Sequence, residues 1–181
     1  MLTVPHAYCI DGIQTRHCDI LAGFFADAIE SAIIEEGLKV KKYKNNKLRA
    51  VIDMNRYVSR ETSYRENIDE KIARLGKKDV LVDVHSAPGD TFDFPFDVYF
   101  LSMKEFTGSF QFNNEFHKFL KSNGVNSYLL KGQKRNDITY RAIKEYGLYN
   151  VSLIEINELT DEKRVKEIAK LIAWFLMTKK T

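Results

Sequence analysis

Four short polar clusters in this chain carry side chains that bind metal ions, hold anions and move protons. Each cluster follows or interrupts a short apolar run, and in chain order the clusters are Pro5-His6, Asp53 to Arg56, Asp83 to Ser86, and Glu155 to Asn157. In an open α/β sheet, ligands bind at the carboxyl ends of the strands, so clusters that are distant in sequence meet in one crevice. Together they supply imidazoles, a guanidinium and carboxylates, which are groups that a zinc hydrolase uses.

The metal-binding hypothesis starts from two of the four histidines. His6 and His85 each end an apolar run that predicts a strand, whereas His117 lies inside a predicted amphipathic helix and is expected to be a surface or packing residue. Neutral imidazole is the commonest zinc ligand, so two histidines at equivalent strand ends favour a metal site. Asp53 and Asp83 are candidates to orient the ligand imidazoles, or else they cap strand ends.

A third ligand is expected, because a catalytic zinc site typically has three protein ligands and keeps one position open for water. Asp19 is the preferred candidate, since it precedes the first predicted helix and can face back toward the strand ends. Its alternative role is to cap that helix. Cys9, Asp11 and His17 lie in the same loop and are rival ligands.

Two further clusters contain groups suited to handling a substrate. Arg56 presents a planar fork that binds a carboxylate through two hydrogen bonds, and Asn55 adds a donor beside it. A surface ion pair is the alternative role for Arg56. Glu155 lies between two isoleucines, and a buried carboxylate there is costly unless it is paired, bound to metal or raised in pKa. This position favours a general base acting on water, with a solvent-facing edge strand as the alternative.

The elements that must position these residues alternate along the chain between strand-like and helix-like patterns. Helices are predicted where apolar residues recur at helical spacing, over Asp19 to Ile34, Arg65 to Leu75, Phe112 to Lys121, Thr139 to Tyr146, and Thr160 to Thr178. Strands are predicted over Leu2 to Val4, Leu38 to Lys44, Leu48 to Met54, Val80 to Val84, Val98 to Leu101, Val125 to Leu130, and Val151 to Ile156. This alternation predicts a three-layer α/β/α sandwich. The short turn between Leu38–Lys44 and Leu48–Met54 suits an antiparallel hairpin, so the sheet is expected to be mixed.

Composition narrows the class of protein further. The chain has 181 residues, which predicts a single domain over residues 1–181. The net charge is only +3, so the lysine-rich run at 39–47 is interpreted as a protected edge strand rather than a phosphate-binding surface, and no nucleic-acid partner is expected. No apolar stretch approaches the ~20 residues that span a bilayer, and no secretion signal is visible. A cytoplasmic location without membrane contact is therefore expected.

The two cysteines, Cys9 and Cys18, are fewer than a disulfide-stapled secreted domain normally carries. Together with His6 and His17 they suggest an alternative, a structural metal site. The spacing of these four residues matches no strong ligand pattern, so a catalytic site at the strand ends is the favoured hypothesis.

The order of these motifs resembles the N-formylglutamate amidohydrolase family. More distantly it is similar to the zinc carboxypeptidases and aspartoacylases, which share a phosphorylase/hydrolase-like α/β/α fold. The resemblance runs from His6 to Glu155 and so covers most of the chain. It implies one zinc ion per chain, held by His6, Asp19 and His85, with Glu155 as the catalytic carboxylate.

The resemblance also implies how a substrate is held. Asn55 and Arg56 match the pair that holds the substrate carboxylate in zinc carboxypeptidases, while Ser86 and Tyr140 are expected beside the pocket. The favoured function is a zinc-dependent amidohydrolase that cleaves an amide or formamide bond of a small N-acyl amino acid. The alternatives are a carboxypeptidase-like metallopeptidase acting on short peptides with a free carboxylate, and a non-catalytic binding module that keeps the pocket. The oligomeric state is not predicted.

Overall fold

The computed structural model of the protein describes residues 1–7, 19–46, 53–102, 107–131 and 137–179. Within these ranges the strands are β1 Leu2–Val4, β2 Lys42–Lys44, β3 Val80–Ala87, β4 Val98–Ser102, β5 Ser127–Lys131 and β6 Asn150–Asn157. The helices are α1 Ala22–Glu35, α2 Ser63–Ile72, α3 Thr107–Ser122, α4 Asp137–Lys144 and α5 Glu162–Thr178, with a short 3-10 helix at Tyr57–Ser59. Each predicted helix is therefore present, with ends that differ by a few residues.

The six strands of the described residues form one mixed sheet in the order β2-β1-β3-β6-β4-β5. β2, β1, β3 and β6 run parallel to one another, whereas β4 is antiparallel to β6 and parallel to β5. The predicted mixed sheet is confirmed, but its antiparallel step lies between β6 and β4. The second strand of the predicted hairpin falls largely on residues 47–52, which lie outside the described residues. Its first strand includes β2, which pairs with β1 in parallel.

Helices cover both faces of the sheet, which makes the predicted three-layer α/β/α sandwich. Side chains alternate between the faces of a strand. On β3, Val82 and Val84 join the larger core with α1, α3 and α5, while Leu81 joins a smaller core with α2 and α4. The apolar stripe of α5 packs into the larger core, as its helical spacing predicts. No helix of the described residues is long and apolar enough to cross a membrane.

Two element boundaries differ from the sequence prediction in ways that matter for the site. β3 continues to Ala87, so His85 and Ser86 lie within the strand and on its opposite faces. α1 begins at Ala22, and its N-cap residue Leu21 makes no side-chain capping bond. Asp19 therefore lies ahead of the helix and is not its N-cap residue. Its carboxylate lies against His6 and His85.

Candidate metal centre

Three buried side chains meet at the carboxyl ends of β1 and β3. His6 follows β1 by two residues, His85 lies near the end of β3, and Asp19 precedes α1. A backbone hydrogen bond of 3.0 Å from the Asp19 N–H to the His6 carbonyl holds the two loop residues together. All three side chains are nearly inaccessible to solvent, with exposures of 3%, 4% and 5% for His6, Asp19 and His85.

The ligand atoms of these residues converge on one another. Each residue offers one ligand atom, and all three atoms lie within 4.8 Å of one another. The Asp19 Oδ2 atom is 2.7 Å from His85 Nδ1 and 3.4 Å from His6 Nδ1. Within the described part of the chain, the buried Nδ1 atom of His6 has no hydrogen-bond partner. A nitrogen of this kind, next to a carboxylate and a second imidazole, fits a metal ligand.

The other ring nitrogen of each histidine faces a carboxylate. His6 Nε2 lies 2.7 Å from Asp53 Oδ1, and His85 Nε2 lies 3.1 Å from Asp83 Oδ2. Thr3 on β1 donates to the other oxygen of Asp83 at 2.6 Å, which fixes that carboxylate behind the His85 ring. Metal-ligating histidines usually have such a carboxylate on the far nitrogen, because it fixes the tautomer and orients the ring.

The charges of the group are set by mutual contact. Burial alone would raise the pKa of Asp19, but its contacts with His6 and His85 hold that pKa well below its usual range. Burial alone would lower the pKa of His85, but the negative charge of Asp83 and hydrogen bonds to Asp19 and Asp83 hold it well above its usual range. A divalent cation at this position would supply a positive charge of the kind that these carboxylates stabilise.

The residues present fit a divalent metal ion. A tetrahedral zinc ion with bonds of about 2.0–2.1 Å keeps its ligand atoms roughly 3.3 Å apart. The 3.4 Å between His6 Nδ1 and Asp19 Oδ2 is close to that separation, whereas the 2.7 Å between Asp19 Oδ2 and His85 Nδ1 would lengthen by about 0.6 Å around a bound ion. Two imidazoles and one carboxylate leave a coordination position for water or substrate, as in catalytic zinc sites. His6, Asp19 and His85 are the three ligands predicted from the sequence. The rival ligands Cys9, Asp11 and His17, and also Cys18, lie outside the described residues.

A carboxylate stands next to the metal group on the same face of the sheet. Glu155 of β6 is the register partner of His85 on the parallel neighbour β3, so the two side chains leave the same face about 4.8 Å apart along the sheet. On its other side, Glu155 is paired with Tyr99 of β4, whose hydroxyl donates to Glu155 Oε2 at 2.6 Å. The row His85–Glu155–Tyr99 therefore crosses three strands.

Tyr99 is a part of this site that the sequence analysis did not identify. Burial raises the pKa of Tyr99 far above its usual value, and the nearby charge of Glu155 raises it further. The hydroxyl therefore stays protonated and acts as a hydrogen-bond donor. Its ring contacts Phe92 and Phe96, which hold it in place.

Asn55 and Arg56 occupy different positions relative to the metal group. The Asn55 amide is buried, 2.9 Å from His85 Nε2 and 3.2 Å from Asp83 Oδ2, so it supports the His85 ring. The structure gives the Asn55 amide this supporting contact, and the substrate contact expected from the sequence stays a prediction. The Arg56 side chain is 39% exposed, and its Nε donates at 3.2 Å to Asp53, the carboxylate behind His6. Arg56 thus places a guanidinium at the surface beside the metal group.

Ser86 and Tyr140 were both predicted to line the pocket. The Ser86 hydroxyl lies on the face of β3 opposite to His85, where it donates to Glu158 at 2.8 Å and accepts from the backbone of Leu21 at 3.2 Å. Strand alternation turns this serine away from the metal group. Its two hydrogen bonds connect the start of α1 to the end of β6. Tyr140 is half-buried in the first turn of α4, near the segment that contains Asn55.

The loop that carries Asn55 and Arg56 is fixed by a buried arginine that the sequence analysis also missed. Arg65 of α2 is fully buried and donates to the backbone carbonyls of Met54 and Arg56 at 3.0 and 3.2 Å. Those two bonds use Nη1 of Arg65, whereas its Nη2 donates at 2.6 Å to Asp137, the first residue of α4. The Asp137 N–H in turn donates to the Asn55 carbonyl at 3.0 Å. Two helices therefore clamp this loop against the metal group.

Comparison with known proteins identifies the fold but no family. No protein-family model matches the chain, and no curated protein matches it. Among solved structures, gene product Atu2144 of Agrobacterium tumefaciens superposes with a TM-score of 0.77 at 15% identity, over 99% of this chain and 88% of that one.

Two amidases have the same fold at lower similarity. The CwlD amidase of Clostridioides difficile, solved in complex with the GerS lipoprotein, gives a TM-score of 0.61 at 16% identity, covering 98% of this chain and 96% of that one. The N-acetylmuramoyl-L-alanine amidase AmiC2 of Nostoc punctiforme gives 0.57 at 9% identity, covering 98% and 94%. At such identities the likeness establishes a shared fold, and the chemistry has to be argued from the site.

Proposed function

We propose that this protein is a metal-dependent hydrolase of amide bonds, and that its substrate is a small N-acyl amino acid or short peptide with a free carboxylate. The observation that carries the proposal is the buried His6, Asp19 and His85 group with Glu155 beside it on the neighbouring strand. The shared fold of two amidases, CwlD and AmiC2, supports amide hydrolysis over other reactions of zinc sites. Turnover distinguishes this proposal from a binding module that keeps the pocket, because such a module would bind these compounds without cleaving them.

Zinc is the proposed ion, one per chain, with His6, Asp19 and His85 as its ligands. When bound there, such an ion lowers the pKa of water and polarises a carbonyl group. Asp53 and Asp83 hold the two ligand rings in the orientation that presents a nitrogen to the centre of the group. Asn55 and Thr3 fix Asp83 in turn.

Glu155 is the proposed general base. Hydrolysis forms a bond between the oxygen of water and the carbonyl carbon, and it breaks the bond between that carbon and nitrogen. Glu155 accepts one proton from the water and delivers it to the leaving nitrogen, so that a carboxylic acid and an amine are released. The hydrogen bond from Tyr99 to Oε2 holds the Glu155 side chain in one orientation during both transfers.

Arg56 is the proposed anchor for the carboxylate of the substrate. Its side chain is 39% exposed, and its Nε donates to Asp53, the carboxylate that lies behind His6. A bidentate contact with the substrate carboxylate would fix the scissile bond relative to Glu155. N-formylglutamate and other N-acyl amino acids are therefore the first substrates to test.

Turnover of a small panel of amides tests the proposal. The panel is N-formyl-L-glutamate, N-acetyl-L-glutamate, their C-terminal amides, and N-acetylmuramoyl-L-alanine, assayed by release of amine with zinc supplied. We expect cleavage of at least one acid, weaker cleavage of its carboxamide form, and a fall of about 10²–10⁴-fold in Glu155→Gln with zinc retained. Glu162→Gln, on the exposed start of α5, is the matched control and should keep full activity. Full activity in Glu155→Gln would refute the role of the base.

A further inference from the structure

A cavity lies at the end of the sheet opposite to the metal centre. Its volume is about 690 Å³, within the ~300–1,000 Å³ range of small-molecule pockets. The first residues of β1 and β3, Leu2 and Val80, form part of its wall. The last turns of α1 and α5 and the segment after α2 complete it through Ile33, Leu176 and Leu75. The metal group is at the carboxyl ends of the same strands, so the cavity is a separate site.

The rim of the cavity is strongly basic. One acidic residue, Asp79, lines it, together with six basic residues, which are Lys39, Lys41, Lys71, Arg74, Lys78 and Lys179. Three of these cations are partly neutralised, because Lys71 and Arg74 contact Glu70 and Lys179 contacts Glu115. Within the described ranges, the lysines at 39, 41 and 78 form no ion pair.

Helix ends reduce this positive charge without cancelling it. The carboxyl ends of three helices, α1, α2 and α5, point toward the cavity, and each contributes a partial charge of about −0.5. The lysine charges exceed that contribution, so the rim still attracts an anion. The rim includes Lys39 and Lys41, the first two lysines of the lysine-rich run at 39–47. These two lysines take no part in the proposed metal centre.

The floor of the cavity is aliphatic. Leu38, Val40 and Leu75 line it and are only half-buried, while Ile34 is 58% exposed. An alkyl chain lying on these residues would be removed from water, at a gain of about 0.8 kcal/mol for each buried methylene, which is close to fourfold in affinity. We propose that the cavity binds a small anionic amphiphile, with its alkyl chain on this floor and its head group among Lys39, Lys41 and Lys78.

The shape and chemistry of the cavity separate this ligand from larger anions. Single-stranded nucleic acid is held mainly by aromatic rings on which bases stack, and Tyr43 is the ring that the described lining provides. A protein partner typically covers about 800 Å² of surface on each side, whereas this site is a recess of small-molecule size. The combination of an aliphatic floor and a lysine rim fits one alkyl chain with one anionic group.

Titration with decanoate below its micelle concentration, at low ionic strength, tests the proposal. Binding is followed by calorimetry and by the backbone amide signals of the protein. We expect saturable binding of one decanoate per chain, with the largest signal shifts within residues 38–43 and 74–80. Hexanoate, which is shorter by four methylenes, should bind on the order of 100-fold more weakly. Decyltrimethylammonium, with the same chain length and the opposite charge, should not saturate the site.

Two double variants localise the charge requirement. Lys39→Glu/Lys41→Glu should weaken decanoate binding by at least about tenfold, because it places carboxylates beside the head group. Lys163→Glu/Lys170→Glu makes the same change of net charge on exposed residues of α5 outside the cavity and should leave binding unchanged. Equal losses in both variants would overturn the proposal, as would signal shifts elsewhere or no saturation by decanoate.

Sedimentation with vesicles of phosphatidylglycerol and phosphatidylcholine distinguishes a free amphiphile from a membrane surface. Under the proposal, decanoate saturates the cavity and the protein does not sediment with the vesicles. Vesicle binding that is lost in Lys39→Glu/Lys41→Glu, without saturable decanoate binding, would overturn it and assign the basic rim to anionic membranes.

Discussion

Asp53 is shared by two side chains of the candidate site, since it accepts from Arg56 and lies against His6 Nε2. Removing the charge of Asp53 should therefore lower the affinity of His6 for the metal, although Asp53 is not itself a proposed ligand. We expect Asp53→Asn to lower zinc affinity about 10–100-fold, measured by competition with a chromophoric chelator. Asp90→Asn, an exposed carboxylate of the loop after β3, is the control and should bind zinc as the natural protein does. Unchanged affinity in Asp53→Asn would remove the supporting role.

Tyr99 should act on turnover through the orientation of Glu155. Tyr99→Phe keeps the ring contacts with Phe92 and Phe96 but removes the hydroxyl that donates to Oε2. A lost hydrogen bond to a charged group is worth about 1.5–3 kcal/mol, so we expect kcat to fall by about tenfold or more while KM changes little. Tyr128→Phe is the matched control, because Tyr128 contacts Phe94 in the same aromatic cluster. A change in KM alone would contradict this role.

At the residue scale, the sequence predicted the candidate ligands and the two aspartates that lie behind their rings, but it did not predict Tyr99. His6, Asp19 and His85 meet because strand ends and the following loops share one edge of the sheet, which motif order predicts. Tyr99 gave no comparable signal, since a tyrosine in an apolar strand also fits a core residue. Its contact with Glu155 depends on β4 lying antiparallel beside β6, and periodicity does not specify strand neighbours.

At the scale of elements, the loop from Asp53 to Ser59 depends on α2 and α4. The ion pair of Arg65 with Asp137 joins the two helices, and the Arg65 side chain is fully buried. Arg65 reads in the sequence as an ordinary polar residue at the start of a helix. Its burial follows from the position of α4, which packs against the loop through the Asp137 N–H. The sequence predicted both helices but not their connection.

This ion pair should make stability depend on pH. Burial alone would raise the pKa of Asp137, but hydrogen bonds from Arg60 and Arg65 hold it below the usual 3.8. Because the folded-state pKa is the lower one, the stabilisation is present above about pH 4 and is lost as pH falls through the lowered value. We expect Asp137→Asn to lower the free energy of unfolding by about 3 kcal/mol at pH 7, and by clearly less at pH 3.

Urea unfolding of the natural protein and Asp137→Asn at the two pH values measures this difference. Asp93→Asn, an exposed carboxylate near β4, should change the stability little at either pH. An Asp137→Asn deficit of the same size at pH 3 and pH 7 would show that the charge of Asp137 does not carry the effect.

At the scale of the whole molecule, the alternating pattern of helices and strands was enough to predict a three-layer sandwich. The mixed sheet was predicted from a hairpin between residues 38 and 54, whereas the antiparallel pair that makes it mixed is β4 with β6. The strand order β2-β1-β3-β6-β4-β5 was not predictable, because it includes crossovers between strands that are distant in sequence. The order has a chemical consequence. It makes β3 and β6 central neighbours, which places His85 and Glu155 side by side at one end of the sheet. The basic cavity occupies the other end.

The metal content of the untagged protein, purified without chelator, tests the central claim most directly. Inductively coupled plasma mass spectrometry should find about one zinc ion per chain in the natural protein. His85→Ala should lose most of this zinc. His117→Ala should retain it, because His117 lies on α3 and contacts Ser127 on β5, away from the proposed ligands. A protein that holds no divalent metal, even after incubation with zinc and desalting, would contradict the proposed hydrolase. Equal zinc in His85→Ala and the natural protein would contradict the site.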